Sequence, residues 1–254
     1  MIPEDDRGLL LGDGLFETIL AEDGRLAHLE AHIARMTRGC VVIGLAAPAI
    51  QTARALSQAA LAQAGLEHTR AVVRLTLTAG SGRGLERPPG STPRLIATAS
   101  PAPQVEGTAR LATAALRRNE TSPAARLKSL SYLDNVLARA AARESGADEA
   151  LLLNTRGELA CAAGANLFWI AGDKLYTPAL ACGVLDGIMR GQALAAARDL
   201  GAEAIETRAG REALDGAQAL FLTNSLIGVR RVAELDGSAL GSHPLIASIS
   251  SRCR

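Results

Sequence analysis

One short stretch near the middle of the chain, SPAPQVEG at Ser100–Gly107, most constrains how the 254 residues can fold. It combines two prolines with polar residues and a glycine, which is the composition of a connection rather than of a helix or strand. A chain of this length can form one large domain or two of ordinary size, and this stretch favours two. We therefore predict a small N-terminal α/β domain over residues 1–100, a linker over 101–107 and a larger domain over 108–254.

Composition excludes several classes of protein. Hydrophobic residues make up 48% of the chain, which is too many for a disordered protein, and the net charge of +1 gives no reason to expect nucleic acid as a partner. No apolar run approaches the roughly 18–20 residues of a membrane helix, and the start, MIPEDDRG, lacks the features of a signal peptide. The four cysteines have no metal-like spacing. We expect a cytoplasmic protein with reduced thiols, no metal and no membrane partner.

Hydrophobic periodicity predicts a mixed α and β chain. The expected strands are 14–21 with a short return strand, 71–78, 94–99, 109–116, several between 149 and 176, and a buried strand end at 220–223. The expected helices are 28–45, 48–65, 132–145 and 187–200. The segment GSGRGLERPPG, between two of the strands, is too rich in glycine and proline to be anything but a loop.

Only two of the 27 basic residues are lysines, Lys128 and Lys174. A lysine that persists where arginine is the rule can mark a required amine, because guanidinium stays protonated and cannot form a Schiff base. Lys174 follows a Gly-Asp turn, where a solvated charge is expected. Lys128 stands between Leu127 and Leu130, and burial there would lower its pKa and free the amine to attack a carbonyl. The same setting also fits a structural lysine whose amine reaches solvent.

Two segments could bind an anion. VLDGIMR places Gly187 at the start of a predicted helix, where free amides and the helix dipole attract phosphate, although Asp186 could simply cap that helix. Thr223-Asn224-Ser225 places three hydrogen-bonding side chains directly after an apolar strand, a pattern that turn formation explains nearly as well.

Six segments in order carry a resemblance to a known family. They are RGLLLGDGLFET, LEAHIARM, LKSLSYLDNVLARAAARESGADEALLLN, GELACAAGANLFW with KLYTP, VLDGIMR and FLTNSLIGV. Together they resemble the class IV aminotransferases, the fold type IV pyridoxal-phosphate enzymes. The resemblance implies the two-domain α+β or α/β fold of D-amino-acid aminotransferase, with pyridoxal 5'-phosphate in the cleft between the domains. It also implies a homodimer and an amino-acid-like substrate.

The resemblance also implies roles for individual residues. Lys128 takes the place of the catalytic Schiff-base lysine. The other implied cofactor-binding residues are Arg35 and Ser225 for the phosphate, Gly187, Ile188 and Met189 at the helix start, and Cys161 at the ring. The candidate substrate-binding residues are Phe16, Arg83, Asn224 and Arg230. For Arg83, and for Arg230 with its neighbour Arg231, the alternative is a solvated arginine.

Cys161 departs from the family pattern. It occupies the position where the family has a glutamate against the pyridine nitrogen, and Glu158 lies three residues too early, in the opposite strand phase. A neutral thiol cannot hold a protonated ring nitrogen, so transamination should suffer more than elimination. Together with the Asn-Ser-Leu run after Thr223, this favours an aminodeoxychorismate lyase-like enzyme. The alternatives are a transaminase for branched-chain or D-amino acids, and a degenerate relative with little activity.

Overall fold

The structure is a computed structural model that describes residues 2–253. Contacts divide the chain into two units. The first unit ends at Gln104 and also contains Leu127–Ser131, whereas the second contains Val105–Arg126 and continues from Tyr132. The division after Gln104 falls within the predicted linker, residues 101–107. The predicted second domain, residues 108–254, includes the lysine segment, whereas the contacts group that segment with the first unit.

The elements of the first unit, within the described residues, are α1 (Arg7–Leu11), β1 (Gly14–Glu22), β2 (Arg25–Leu26), α2 (Leu29–Ile43), α3 (Ile50–Ala64), β3 (Ala71–Thr78) and β4 (Arg94–Pro101). Those of the second unit are β5 (Ala109–Arg118), α4 (Pro123–Arg126), α5 (Leu133–Glu144), β6 (Glu149–Asn154), β7 (Leu159–Ala162), β8 (Asn166–Ala171), β9 (Lys174–Pro178), α6 (Ile188–Asp199), β10 (Glu203–Thr207), β11 (Ala219–Asn224), β12 (Gly228–Leu235), β13 (Ser238–Ala239) and α7 (Pro244–Arg252). Short 3-10 helices occur at Leu180–Cys182 and Arg211–Leu214.

The first unit is an antiparallel sheet covered by helices. Its strands run in the order β2-β1-β3-β4. Strand β3 alternates buried and less buried positions, and its buried residues pack with one face of α2. That face repeats at helical spacing through Leu29, Ile33, Met36 and Cys40, which are all buried. Burial of this stripe is what holds α2 against β1, and it places the polar residues of α2 that face β1 at fixed positions.

The second unit is a mixed sheet in the order β10-β9-β8-β11-β12-β5-β6-β7, with β13 beside β12. On one face, Phe168 and Phe221 stack with ring centroids 4.8 Å apart and pack with residues of α6 and α7. On the other, Trp169 and Tyr176 stack at 5.5 Å. Strands β8 and β11 are antiparallel and buried on both faces, and β8 begins and β11 ends beside the start of α6.

The predicted strands and helices are confirmed, with ends that shift by at most two residues. The sequence did not predict α1, α4 or the C-terminal helix α7, nor did it predict β10, β12 and β13 individually. None of the helices in residues 2–253 is both long and apolar enough to cross a membrane. All four cysteines are buried and unpaired.

Candidate functional site

The lysine segment is attached to the first strand of the first unit. Phe16 donates its backbone N–H to the carbonyl oxygen of Lys128 at 2.8 Å, and Leu130 donates to that of Gly14 at 3.0 Å. Leu15 and Ser129 form an antiparallel bridge between these two bonds. The segment therefore behaves as one more short strand beside β1, which fixes the backbone of the lysine.

Gly14 is needed for this close approach. A Cβ atom there would lie 2.2 Å from the carbonyl oxygen of Leu77 on β3 and 2.8 Å from the side chain of Leu130. The Leu77 oxygen belongs to the backbone of β3, which pairs with β1, so it cannot move without disturbing the sheet. The second glycine of the Gly12-Asp13-Gly14 run is therefore required for packing.

The Lys128 amine lies over an aromatic ring and among other charges. Its Nζ is 4.3 Å from the centroid of the Phe16 ring, and the guanidinium carbon of Arg74 is 3.8 Å from the same centroid. Burial and the positive charge of Arg35 lower the pKa of Lys128 to about 8, with Glu17 opposing the shift. At pH 7 roughly a tenth of the amine is then neutral, which is far more than for an ordinary lysine. Lys128 therefore has the chemistry of a nucleophilic amine.

A buried ion pair lies close to this amine. The carboxylate of Glu17 accepts two bonds from Arg35, at 2.9 Å from Nε and 2.5 Å from Nη2. Its Oε2 also lies 2.7 Å from Nδ1 of His32. Glu17 is a strand residue, while His32 and Arg35 are three apart on α2 and so share a face. The structure thus brings the predicted Arg35 near Lys128, together with two residues that sequence reasoning missed. The signal that could have found Glu17 is a carboxylate inside the largely apolar strand GLFETIL.

In the second unit, α6 begins where the sequence predicted an anion site. The N-cap residue is Gly187, which has no side chain to bond the amides of the first turn, and Ile188 and Met189 are the first two helical residues. A Cβ atom on Gly187 would lie only 1.9 Å from Oδ1 of Asn166. Asn166 in turn donates to the carbonyl oxygen of Leu185 at 2.9 Å. The first turn of α6 has no side-chain cap, and its N-cap glycine packs closely against Asn166, an arrangement that suits a phosphate group.

The end of β11 lies next to this helix start. Thr223 pairs directly with Asn166 in the sheet, so the two side chains share a face. The Thr223 hydroxyl is buried and has no hydrogen-bond partner among the described residues. A buried hydroxyl without a partner costs free energy, and an anion at the start of α6 would supply an acceptor for it. Ser225, two residues later, is half-buried.

The side chain of Asn224 bonds to backbone at both ends. Its Oδ1 accepts the amides of Leu226 and Ile227, each at 2.9 Å, and its Nδ2 donates to the carbonyl oxygen of Gly164 at 2.9 Å. The residue that the sequence assigned to the substrate therefore also shapes the turn containing Ser225.

Cys161 is buried on β7, opposite Leu152 of β6. Burial raises the pKa of its thiol, and the positive charge of Arg118 opposes that rise. The thiol is therefore protonated and uncharged at neutral pH. Glu158 does not replace it, because its carboxylate accepts from Nδ2 of Asn154 at 2.6 Å, in the turn before β7.

The remaining predicted residues lie in different settings. Arg83 is exposed, in a loop whose backbone is held by the buried Arg7, which donates to the carbonyl oxygens of Gly84 and Leu85 at 2.8 and 3.0 Å. Arg230 donates to the carbonyl oxygen of Thr108 at 2.8 Å. Arg231 donates to the carbonyl oxygen of Gly241 at 3.0 Å. Lys174 lies in the hairpin between β8 and β9 and forms an ion pair with Glu203 at 2.9 Å, at an exposed position as predicted.

Comparison with known proteins identifies the family. The profile of the amino-transferase class IV family matches residues 14–235, most of the chain. The chain belongs to the class IV aminotransferases. This member is 32% identical to a protein of Methanocaldococcus jannaschii provisionally named branched-chain-amino-acid aminotransferase, over 93% of this chain and 83% of the relative. It is 30% identical to aminodeoxychorismate lyase of Bacillus subtilis, over 93% of this chain and 82% of the relative.

A solved structure extends the similarity to the fold. A protein of Legionella pneumophila, provisionally named 4-amino-4-deoxychorismate lyase, matches this class IV aminotransferase with a TM-score of 0.92 and 29% identity. The match covers 98% of this chain and 92% of the other. The predicted two-domain α+β fold of the fold type IV enzymes is confirmed. Class IV aminotransferases and aminodeoxychorismate lyases are pyridoxal-phosphate enzymes, so the predictions of an enzyme and of this cofactor are confirmed as well.

Proposed function

We propose that this class IV aminotransferase is an aminodeoxychorismate lyase-like enzyme, which eliminates pyruvate from its substrate to leave 4-aminobenzoate. The observation that carries the proposal is Cys161, a buried and uncharged thiol at the position where the family has a carboxylate against the ring nitrogen. A thiol cannot keep the ring nitrogen protonated, and elimination depends on that proton less than transamination does. The similarity to the lyases of Bacillus subtilis and Legionella pneumophila supports the same choice.

We assign cofactor binding to the residues that the family resemblance implies. When bound, pyridoxal phosphate supplies an aldehyde that condenses with amines and a ring that withdraws electrons from the α-carbon. In the first unit, Lys128 provides the amine and Arg35 a positive charge for the phosphate group. In the second, the amides at the start of α6 and the hydroxyl of Ser225 bind the phosphate. The Thr223 hydroxyl, which has no partner among the described residues, and the lack of a side-chain cap at the start of α6 support this assignment.

Lys128 also moves the proton of the reaction. Its Nζ, neutral in a fraction of molecules at pH 7, takes the proton from the substrate's α-carbon and then delivers a proton to the departing enolpyruvyl group. Substrate contacts are assigned to Phe16, Arg83, Asn224 and Arg230, with Arg83 or Arg230 pairing with a carboxylate. The side chains of Asn224 and Arg230 already bond to backbone. Of the two arginines, the exposed Arg83 is therefore more available to pair with a substrate carboxylate.

A coupled assay tests the lyase activity. Pyruvate released from aminodeoxychorismate by the purified protein supports the proposal. Keto-acid formation from leucine or D-alanine with 2-oxoglutarate, without pyruvate release, would support the second candidate, a transaminase, which the similarity to the Methanocaldococcus jannaschii protein favours. If neither pyruvate nor a keto acid forms, the protein is a degenerate relative with little activity.

The role of Lys128 needs a separate test. Wild-type protein loaded with pyridoxal phosphate should show a visible absorbance that borohydride removes, and reduction should leave the cofactor attached to a peptide containing residue 128. Lys128→Ala should abolish that attachment. The control is Lys174→Ala, which removes the other lysine of the chain and should leave attachment unchanged, because Lys174 is exposed and paired with Glu203.

We also propose that the protein works as a homodimer in the cytoplasm. Helix α5 carries Leu133, Val136 and Leu137 at i, i+3 and i+4, and these side chains are exposed to 66%, 59% and 51%. An apolar stripe of this kind is costly in water, and a second copy of the chain would cover it. Light scattering should give twice the mass of one chain, and Val136→Glu should shift it towards one chain mass. The buried, unpaired cysteines suit a reducing compartment.

A further inference from the structure

Glu17 is the most completely buried acidic side chain of the candidate site. Its side chain is 1% exposed, and both oxygens bond to groups on α2. A buried carboxylate is costly unless it is paired and hydrogen-bonded. Bonds from Arg35 and His32 outweigh the effect of burial and hold the pKa of Glu17 below its usual value, so it is ionised at neutral pH.

The state of His32 follows from that of Glu17. An ionised carboxylate can only accept, so Nδ1 of His32 carries the hydrogen of their 2.7 Å bond. Burial, together with the charges of Arg35 and Lys128, lowers the pKa of His32 despite the opposing effect of Glu17. The ring is therefore neutral and does not cancel the negative charge of Glu17. That charge acts on Arg35 and, through space, on Lys128.

The groups around Lys128 are mostly cationic. Arg35 of α2 and Arg74 of β3 both disfavour the protonated amine, whereas Glu17 of β1 favours it. The two bonds between Glu17 and Arg35 also form a planar fork, which fixes the orientation of the guanidinium. The carboxylate of Glu17 therefore orients Arg35 and also places a negative charge near Lys128.

We propose that Glu17 is a positioning residue, whose carboxylate orients Arg35 for the cofactor's phosphate group and offsets the positive charge around Lys128. The proposal rests on the proposed function, which assigns the phosphate to Arg35 and covalent attachment to Lys128. A purely structural ion pair would make a different prediction, because its loss would weaken the fold without changing how the protein distinguishes a phosphate-bearing ligand from one without phosphate.

The first test compares pyridoxal phosphate with pyridoxal. Glu17→Gln keeps the shape of the side chain but removes the charge and one acceptor. The preference for pyridoxal phosphate, expressed as the ratio of the two dissociation constants, should fall about tenfold, because a charged fork that orients the guanidinium is lost. A ratio equal to that of the wild type, whatever happens to the melting temperature, overturns the proposal.

The second test separates charge from orientation. Loss of the negative charge in Glu17→Gln should lower the pH midpoint of the visible absorbance of the cofactor-loaded protein by about one unit. Glu17→Asp keeps the charge but is one methylene too short to close the fork on Arg35, so the phosphate preference should fall while the midpoint stays close to that of the wild type. If Glu17→Gln does not fold, this pair of readouts on Glu17→Asp decides; an unchanged phosphate preference contradicts the proposal.

Asp6→Asn is the matched control. Asp6 is also fully buried in the first unit and accepts bonds from Thr78 at 2.9 Å and from Arg94. Its substitution should lower the melting temperature but leave the phosphate preference and the pH midpoint unchanged; an equal change in both variants would reduce the role of Glu17 to stability. Wild-type protein that shows no preference for the phosphate-bearing form would contradict the proposed function itself, an outcome that the wild type alone reveals.

Discussion

The side-chain amide of Asn224 donates a hydrogen bond to the carbonyl oxygen of Gly164, 2.9 Å away. This bond joins the end of β11 to the loop that follows Cys161, two segments that lie 60 residues apart in sequence. Since the other end of the same amide shapes the turn containing Ser225, one side chain fixes two of the proposed cofactor-binding segments relative to each other.

Asn224→Asp should destabilise the second unit. The substitution keeps the acceptor for the turn amides but places a carboxylate oxygen against the Gly164 carbonyl, where a donor stood. We expect a loss of about 1–3 kcal/mol in the free energy of unfolding, measured in urea. The control is Asn119→Asp, since the side chain of Asn119 is exposed and uses only its oxygen, on Thr121. Equal losses in the two variants would show that the bond to Gly164 contributes nothing.

Gly187→Ala should distort the start of α6. A methyl group there would meet Oδ1 of Asn166 at 1.9 Å, and the displaced backbone should cost about 1–3 kcal/mol and weaken binding of inorganic phosphate. Gly191 lies one turn further along the same helix with nothing within 4 Å of the corresponding position. Gly191→Ala should therefore stabilise the protein by about 0.5–1 kcal/mol. Calorimetry and phosphate titration of both variants provide the measurement; equal phosphate affinity in Gly187→Ala and wild type would remove this glycine from the binding site.

The reactivity of Lys128 should depend on pH in a defined direction. Because its pKa is lowered to about 8, the amine should react faster with pyridoxal as pH rises from 6, and the rate should level off above about 8. The lowered pKa also has a consequence for stability. The unfolded chain binds this proton more tightly, so the contribution of Lys128 to stability improves between pH 8 and the ordinary value of 10.5. Stopped-flow absorbance measures the rate, and a profile that still rises steeply beyond pH 10 would contradict the lowered pKa.

Cys161→Glu should increase the rate of transamination. The new carboxylate would lie near Arg118, whose positive charge already opposes the raised pKa of the thiol. We expect single-turnover conversion of the bound cofactor by an amino acid to accelerate at least about tenfold, because a charged group would then stabilise charge that develops on the ring. Cys161→Ser, which adds no charge, is the control. An unchanged rate in Cys161→Glu would mean that the missing carboxylate does not limit transamination.

The sequence predicted most elements of the fold because their signals are local. The stripe Leu29, Ile33, Met36 and Cys40 repeats at helical spacing, and β3 alternates buried and less buried positions. Lys128 was also found locally, from its rarity and its apolar neighbours.

The contacts that shape the site were beyond local reasoning. Glu17 meets Arg35 across 18 residues and Asn224 meets Gly164 across 60, and both bonds exist only once separate elements have packed. The three-residue spacing of His32 and Arg35 could have shown a shared helix face, but nothing in the sequence indicates that a strand carboxylate lies opposite that face. The backbone contacts of Arg7 with the loop that carries Arg83 were hidden for the same reason.

The attachment of residues 128–130 to β1 has a consequence for synthesis on the ribosome. The first unit cannot be completed when residue 104 emerges, because the strand that pairs with Gly14 and Phe16 is encoded more than 20 residues later. Until then, one edge of β1 has unpaired backbone amides and carbonyls, the kind of edge that invites mispairing with other chains. A gene divided at the linker would yield an N-terminal fragment in which this edge of β1 is unpaired and Lys128 is missing. We therefore expect that fragment neither to complete its sheet nor to form a Schiff base.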